Sequence, residues 1–140
     1  MPKSSRPRKA YRPRPVGRPV MDKMRNDLVL PCYSALEVLI KSDSTAALES
    51  ARHTLCALFN YMLAALVKDG RDASMMSAAL DAIVSMDMRY TARGVYRPSG
   101  QELARLRAAV IHADQTLPLL STDKVIDGCA QVDRALAGVA

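Results

Sequence analysis

The sequence predicts an all-α protein, a bundle of four to five helices preceded by a disordered or extended basic N-terminal arm. Hydrophobic residues make up 49% of the chain, but aromatic residues make up only 4% and Trp is absent. A core of Ala, Leu, Val and Met favours helices over sheets. Apolar residues also recur at helical spacing, and no useful stretch alternates as a strand would. With 140 residues, the chain fits one domain with a sizeable core.

The arm, residues 1–20, carries the basic charge of the protein. It holds seven Lys and Arg residues and no acid, whereas the body, residues 21–140, holds 13 basic and 14 acidic residues. The net charge of +6 therefore combines +7 on the arm with −1 on the body. Five of the eight prolines also lie in the arm. Because proline fixes φ and like charges repel, we expect this segment to be extended and without a core of its own.

The first part of the body is apolar enough to be helical, but it contains Pro31. Proline clashes with the preceding turn and disfavours helix at Leu30. We therefore predict an irregular or short helical lead-in and then a helix over 31–41, with Pro31 near its first turn.

A central helix is predicted over 45–69, with an N-cap from the Ser42-Asp43-Ser44 turn and an end at Gly70. Its apolar face is broad, so other helices must surround it. The face comprises Leu48, Ala51, Leu55, Leu58, Phe59, Met62 and Leu66, widened by Cys56, Leu63 and Val67. The longest apolar run has 13 residues and includes Asn60. Since a bilayer requires roughly 20, we expect no membrane segment.

A third helix is predicted over 73–90, and Asp87 falls on its apolar stripe. The stripe is formed by Met76, Ala79, Leu80, Ile83 and Tyr90. At Asp87 we expect the helix to have reached the surface or begun to unwind. The alternative is a carboxylate held by a neighbouring arginine.

Two further helices complete the predicted bundle. Ser99 and Glu102 match a capping box at the start of a fourth helix over 100–117. Ser121 or Thr122 caps a last helix over 122–137. The apolar stripes of these two helices are Leu103, Leu106, Val110, Ala113 and Leu117, and Val125, Cys129, Val132 and Leu136.

The arm reads RPRKAYRPRPV over residues 6–16, and VYRPSGQEL and IHADQ follow at 95–103 and 111–115. Together these segments resemble a family of small uncharacterised proteins encoded in proteobacterial phages, prophages and plasmids. In that family, a basic Pro-Arg-Lys-x-Tyr-Arg-Pro arm precedes an all-helical body. The family's His-Asp dipeptide is replaced here by His112-Ala113-Asp114, so no role for the His is carried over. The resemblance implies a genomic setting and no established chemistry.

The sequence contains no pattern typical of an enzyme, a metal site or a cofactor site. His53 and His112 are predicted to lie outside the apolar faces, and no cysteine stands at ligand spacing. The three cysteines, Cys32, Cys56 and Cys129, are solitary, which suggests a reducing cytoplasm. The resemblance implies that this is the cytoplasm of a bacterial host cell. A secretory signal is not expected, because charges interrupt the residues after the arm. We predict a non-enzymatic protein whose cysteines serve packing.

Basic residues and interleaved tyrosines predict contact with nucleic acid, either DNA or RNA. Lys and Arg neutralise phosphates, and Tyr can stack on bases. A second basic zone over 89–107 holds five arginines, including Arg89, and one acid, Glu102. We expect these arginines to gather at one end of the bundle and continue the path of the arm. The predicted contact residues are Lys3, Arg6, Arg8, Lys9, Tyr11, Arg12, Arg14, Arg18, Arg93, Arg97, Arg105 and Arg107. The alternatives are a solubilising tail and ordinary helix-end arginines.

A competing hypothesis is a protein-binding factor that modulates or inhibits a host enzyme or a defence complex. Its support is the group of methionines Met75, Met76, Met86 and Met88, because Met adapts to irregular partner surfaces. The same methionines could instead fill the core or a homodimer seam. The apolar surplus of the central and first helices predicts a homodimer.

Overall fold

A computed structural model describes residues 18–94 and 96–138 of this chain. Arm residues 1–17, together with the side chains of Arg18 and Pro19, lie outside this description. The described chain is all-α, as predicted. Its helices are α1 (Arg18–Met24), α2 (Leu30–Lys41), α3 (Thr45–Lys68), α4 (Ser74–Arg93), α5 (Gly100–Thr116) and α6 (Thr122–Gly138). Within the described ranges there is no strand, and no helix is long and apolar enough to cross a membrane.

The predicted helix bounds agree with the observed ones to within three residues at each end. The largest difference is at α4, which continues to Arg93 before Gly94 ends it in the left-handed conformation, with φ of 69°. Gly70 adopts the same φ of 69° after α3, as expected of a helix-ending glycine. The capping box of α5 is present, because the Ser99 hydroxyl accepts from the Glu102 amide and the Glu102 carboxylate accepts from the Ser99 amide.

The lead-in before Pro31 is a short helix, one of the two predicted alternatives, but no break separates it from the next helix. α1 and α2 are joined without a break by a π-helical turn, Arg25–Val29, in which the Leu30 amide donates to the Arg25 carbonyl. In a regular α-helix the ring of Pro31 would clash with the carbonyl four residues earlier. The wider turn lies directly before the proline and accommodates it. The first helix also begins at Arg18, inside the segment predicted as arm.

α3 is the centre of the bundle and contacts α2, α4, α5 and α6. The seven residues of its predicted apolar face, Leu48, Ala51, Leu55, Leu58, Phe59, Met62 and Leu66, are all buried. The predicted widening of that face is correct in part: Cys56 and Leu63 are partly buried, but Val67 is 64% exposed. The central position of this helix is therefore confirmed.

α6 packs antiparallel on α3, and the two backbones come very close at Gly128. A Cβ at this position would lie 2.8 Å from the backbone nitrogen of Ala65. One turn further along α6, Tyr61 donates a hydrogen bond to Asp133. Leu136, at the end of the predicted stripe, is 65% exposed. A groove of about 460 Å³ lies between the two helices on this side.

Replacing Leu58 by Asp should unfold the domain. Leu58 is 1% exposed, and an unpaired buried charge costs several kcal/mol against a total stability of roughly 5–15 kcal/mol. Val67→Asp, on the exposed side of the same helix, is the matched control and should change the melting temperature little. If Leu58→Asp melted like the wild type, α3 would not be the core helix.

Replacing Gly128 by Ala should destabilise the protein by about 1–3 kcal/mol, because the new methyl group meets backbone atoms that cannot rotate away. Gly138→Ala is the control in the same helix, since a Cβ there meets nothing within 4 Å. Thermal unfolding of the two variants checks this. Equal melting temperatures would show that α6 can shift without loss.

Candidate functional site

The arm residues of the predicted nucleic-acid interface lie outside the described residues. These are Lys3, Arg6, Arg8, Lys9, Tyr11, Arg12 and Arg14. Arg18 is the first residue of α1, but its side chain is not described. The structure therefore describes the point where the arm joins the bundle and the remaining predicted arginines.

Arg89 and Arg97 brace the loop between α4 and α5. Arg89 donates to both carboxylate oxygens of Glu102 and, at 2.9 Å, to the carbonyl of Arg97. Arg97 in turn pairs with Asp43 and donates to the carbonyl of Ser42 at 3.3 Å, which ties the loop to the turn between α2 and α3. Both arginines are therefore engaged within the fold.

Glu102 is the most buried carboxylate of these contacts, with 9% of its side chain exposed. Burial raises the pKa of this carboxyl, but hydrogen bonds from Arg89 and from the amide of Ser99 outweigh it and lower the pKa overall. The capping residue therefore also serves as the anion that fixes Arg89. The sequence pattern predicts the cap but not this second role, because Arg89 lies on another helix.

Arg93, Arg105 and Arg107 are exposed. Arg105 and Arg107 are two positions apart on α5, so their side chains leave on nearly opposite sides of the helix. The pKa of Glu37 on α2 is lowered chiefly by its hydrogen bond with Lys41, with a smaller contribution from Arg107. The expectation that the arginines of this zone gather at one end of the bundle and continue the path of the arm stays a prediction. Arg89 and Arg97 are engaged in contacts within the fold, and Arg105 and Arg107 leave α5 in different directions.

Asp87 does not mark the surface or a frayed helix end, which corrects the favoured prediction and supports its alternative. Arg52 of α3 donates to both carboxylate oxygens of Asp87, through Nε at 2.7 Å and Nη2 at 2.6 Å. These hydrogen bonds lower the pKa of the Asp87 carboxyl despite its partial burial. The pair joins α3 to α4. Asp87 therefore occupies a position on the apolar stripe of α4 because its charge is matched by Arg52.

A cleft of about 360 Å³ lies over this ion pair. It is lined by Glu49, Arg52, His53, Asp87, Tyr90, Thr91 and Tyr96. The rings of Tyr90 and Tyr96 pack edge to face, with centroids 5.6 Å apart. The hydroxyl of Tyr96 is buried beside the Asp87 carboxylate, although no hydrogen bond of good geometry joins them. Burial, followed by interaction with that carboxylate, raises the pKa of this hydroxyl.

A second carboxylate node lies on α5, where Asp114 accepts from Arg25 Nε at 2.7 Å and from the Tyr33 hydroxyl at 2.8 Å. The contact with Arg25 is the main reason that the pKa of Asp114 is lowered. It ties the π-helical turn and α2 to α5. Asp114 thus has a structural role. The sequence does not indicate this role, because Arg25 and Tyr33 are far from Asp114 along the chain.

The cysteines and histidines form no recognisable reactive set. Burial raises the pKa of the Cys32 thiol to about 12 and also raises the pKa values of Cys56 and Cys129. His53 is exposed, as predicted, whereas His112 is half-buried and has a ring nitrogen 3.4 Å from the Thr116 hydroxyl. Among the described residues, no group of three or more His, Cys, Asp or Glu residues could hold a metal ion.

Comparison with models of protein families, with curated proteins and with solved structures finds no match to this chain. The class of protein defined by the fold is an all-α helical bundle. The resemblance to phage and plasmid proteins stays a prediction.

Acid should destabilise the protein through the paired carboxylates. Asp87, Glu102 and Asp114 each have a lowered pKa in the fold. Such a group stabilises the native state above its unfolded pKa, near 4, and this stability is lost as the pH falls through the folded pKa. We expect a melting temperature that is nearly constant from about pH 7 to 5 and falls below about pH 4.

The variant Asp87→Asn tests this assignment. It should be less stable than the wild type at neutral pH, because Arg52 loses its ionic partner, and it should show a smaller further loss in acid. Asp81→Asn, an exposed acid on the same helix, serves as the control. An unaltered acid profile in Asp87→Asn would contradict the role given to this carboxylate.

Proposed function

We propose that this protein is a non-enzymatic accessory protein of phage or mobile-element type that contacts nucleic acid through its basic N-terminal arm. The supporting observation is the distribution of charge. The arm carries +7 without an acid, while six of the 13 basic residues of the body are paired with acids of the body. Those six are Arg25, Lys41, Arg52, Arg71, Arg89 and Arg97. A cation that is already paired with a carboxylate contributes less free energy when it binds a phosphate, because the ion pair must first be broken.

The point where the arm joins the bundle supports a contact separate from the arginines of the body. The chain is helical without a break from Arg18 to Lys41, which corresponds to about 35 Å of helix at 1.5 Å per residue. Arg97 is anchored at Asp43, just beyond the end of that helix. The start of α1 and the Arg97 loop therefore lie toward opposite ends of this segment, and we expect the arm to supply most of the affinity.

Replacing the six Lys and Arg residues of segment 1–17 by Gln in the full chain should abolish most of the binding. For the wild type, seven arm cations limit the slope of log K against log salt on duplex DNA to no steeper than about −6. The melting temperature should barely change, because these residues precede α1. Titrations on duplex and single-stranded probes at two salt concentrations measure both effects.

The matched control is the double variant Arg105→Gln and Arg107→Gln, which removes two exposed cations from α5. It should reduce the slope by no more than about 2. If the arm variant bound nucleic acid as well as the wild type, the arm would be a passive tail and the proposal would fail.

A second candidate function is a protein-binding factor that modulates a host enzyme or defence complex. Met76 and Met86 are core residues, but Met88 is 68% exposed beside Val84, at 54%, on the outer side of α4. On α2, Leu30, Tyr33 and Ile40 are also exposed in part, although the ion-paired Glu37 lies between Tyr33 and Ile40 on the same face. Protein purified without nuclease that absorbs strongly at 260 nm favours the first function. The second function is favoured if the wild type captures a discrete host protein in a pull-down and the variant Met88→Glu does not.

A further inference from the structure

The groove between α3 and α6 is lined mainly by apolar side chains. Its volume of about 460 Å³ lies within the range of pockets that hold small molecules, about 300–1,000 Å³. Its walls include Cys56, Ala57 and Asn60 of α3 and Val132, Ala135 and Leu136 of α6. Three of these side chains are small, so the two helices leave the space between them unfilled. The groove is therefore a preformed space in which an apolar group can leave water.

The apolar stripe of α6 is fully buried at one end only. Val125 has no exposed surface, whereas Leu136, on the same stripe, is 65% exposed and lines the groove. Val132, one turn before Leu136, also lines the groove and is half-buried. Water in contact with these two side chains is unfavourable. A ligand that covered them would therefore gain free energy from the apolar area that it removed from water.

The polar groups of the groove suit an uncharged ligand. Among the described residues that line it there is no Asp, Glu, Lys or Arg, and His53 counts as neutral at pH 7. A charged ligand would lose hydration here without gaining an ionic partner. Asn60 Nδ2 donates to the carbonyl of Cys56 at 2.9 Å, which orients the side-chain amide and leaves Oδ1 as an acceptor. A ligand with an N–H or O–H group would match this acceptor.

We propose that the groove between α3 and α6 binds a small uncharged molecule that is mainly apolar and carries one hydrogen-bond donor. The size of the groove favours such a molecule over a helix of a partner protein. One turn of helix, about 10 Å wide and 5.4 Å long, by itself occupies roughly 400 Å³. The groove therefore has room for about one turn, which is too little for a helical segment to dock along its apolar face. The site is separate from the proposed contact with nucleic acid, and neither depends on the other.

The test uses N-phenyl-1-naphthylamine, an uncharged aromatic probe with one N–H donor whose fluorescence rises in apolar surroundings. Titration of the full chain should give saturable binding of one probe per chain. Ala135→Phe places a ring in the groove and should weaken this binding at least about tenfold. Ala137→Phe is the matched control, because residue 137 is exposed on the side of α6 opposite Gly128, and it should leave the affinity unchanged.

Two further variants test the chemistry of the groove. Leu136→Asn should weaken binding about three- to tenfold, whereas Ile126→Asn, on the outer side of α6, should have no effect. Asn60→Ala should weaken binding about two- to tenfold, the usual effect of losing one hydrogen bond. The melting temperature of each variant, measured without the probe, shows whether it is folded.

NMR spectra give the location of the bound probe. The amide signals of Ala57, Asn60 and Ala135 should shift on addition of the probe to the wild type. Shifts elsewhere in the bundle without shifts at these residues would overturn the proposal, as would non-saturable binding or equal affinities of Ala135→Phe and Ala137→Phe. One probe for every two chains would also overturn it, because a second copy of the chain would then form part of the site.

Discussion

The arrangement of the bundle follows from one constraint, the burial of the broad apolar face of α3. This helix has a broad apolar face with Leu, Phe or Met side chains along its length, and exposing them to water would be unfavourable. Four other helices contact it, and Phe59, Leu55 and Ala65 have no exposed surface at all. α6 covers one side of this helix and packs chiefly on α3. Its close approach is possible only because Gly128 has no side chain to hold the backbones apart.

Around this core, arginine–carboxylate pairs join neighbouring elements at the rim of the bundle. Arg52 and Asp87 join α3 to α4, Arg89 and Glu102 join α4 to α5, and Arg25 joins the π-helical turn to Asp114 of α5. These pairs are half-buried, so they specify how the helices are arranged more than they add stability. The body as a whole is close to neutral, with 13 basic and 14 acidic residues. The net positive charge of the chain therefore lies in residues 1–20.

The charge distribution also bears on the proposed function. Residues 1–20 carry +7, whereas residues 21–140 carry −1. Under the proposal the bundle serves to carry the arm, and the salt dependence of binding reflects the cations of the arm.

The sequence by itself determined the features that depend on local chemistry. Helical periodicity identified the buried face of α3, Ser99 and Glu102 identified the start of α5, and Gly70 identified the end of α3. Each of these depends on residues within a few positions of one another.

Only the tertiary structure decided the long-range contacts. Asp87 is paired with Arg52, 35 positions away, and Gly128 is opposite Ala65. The cleft needs residues of α3, α4 and the following loop at once. No pattern in one helix can show which side chain of another will face it, because the packing of the whole bundle sets that choice.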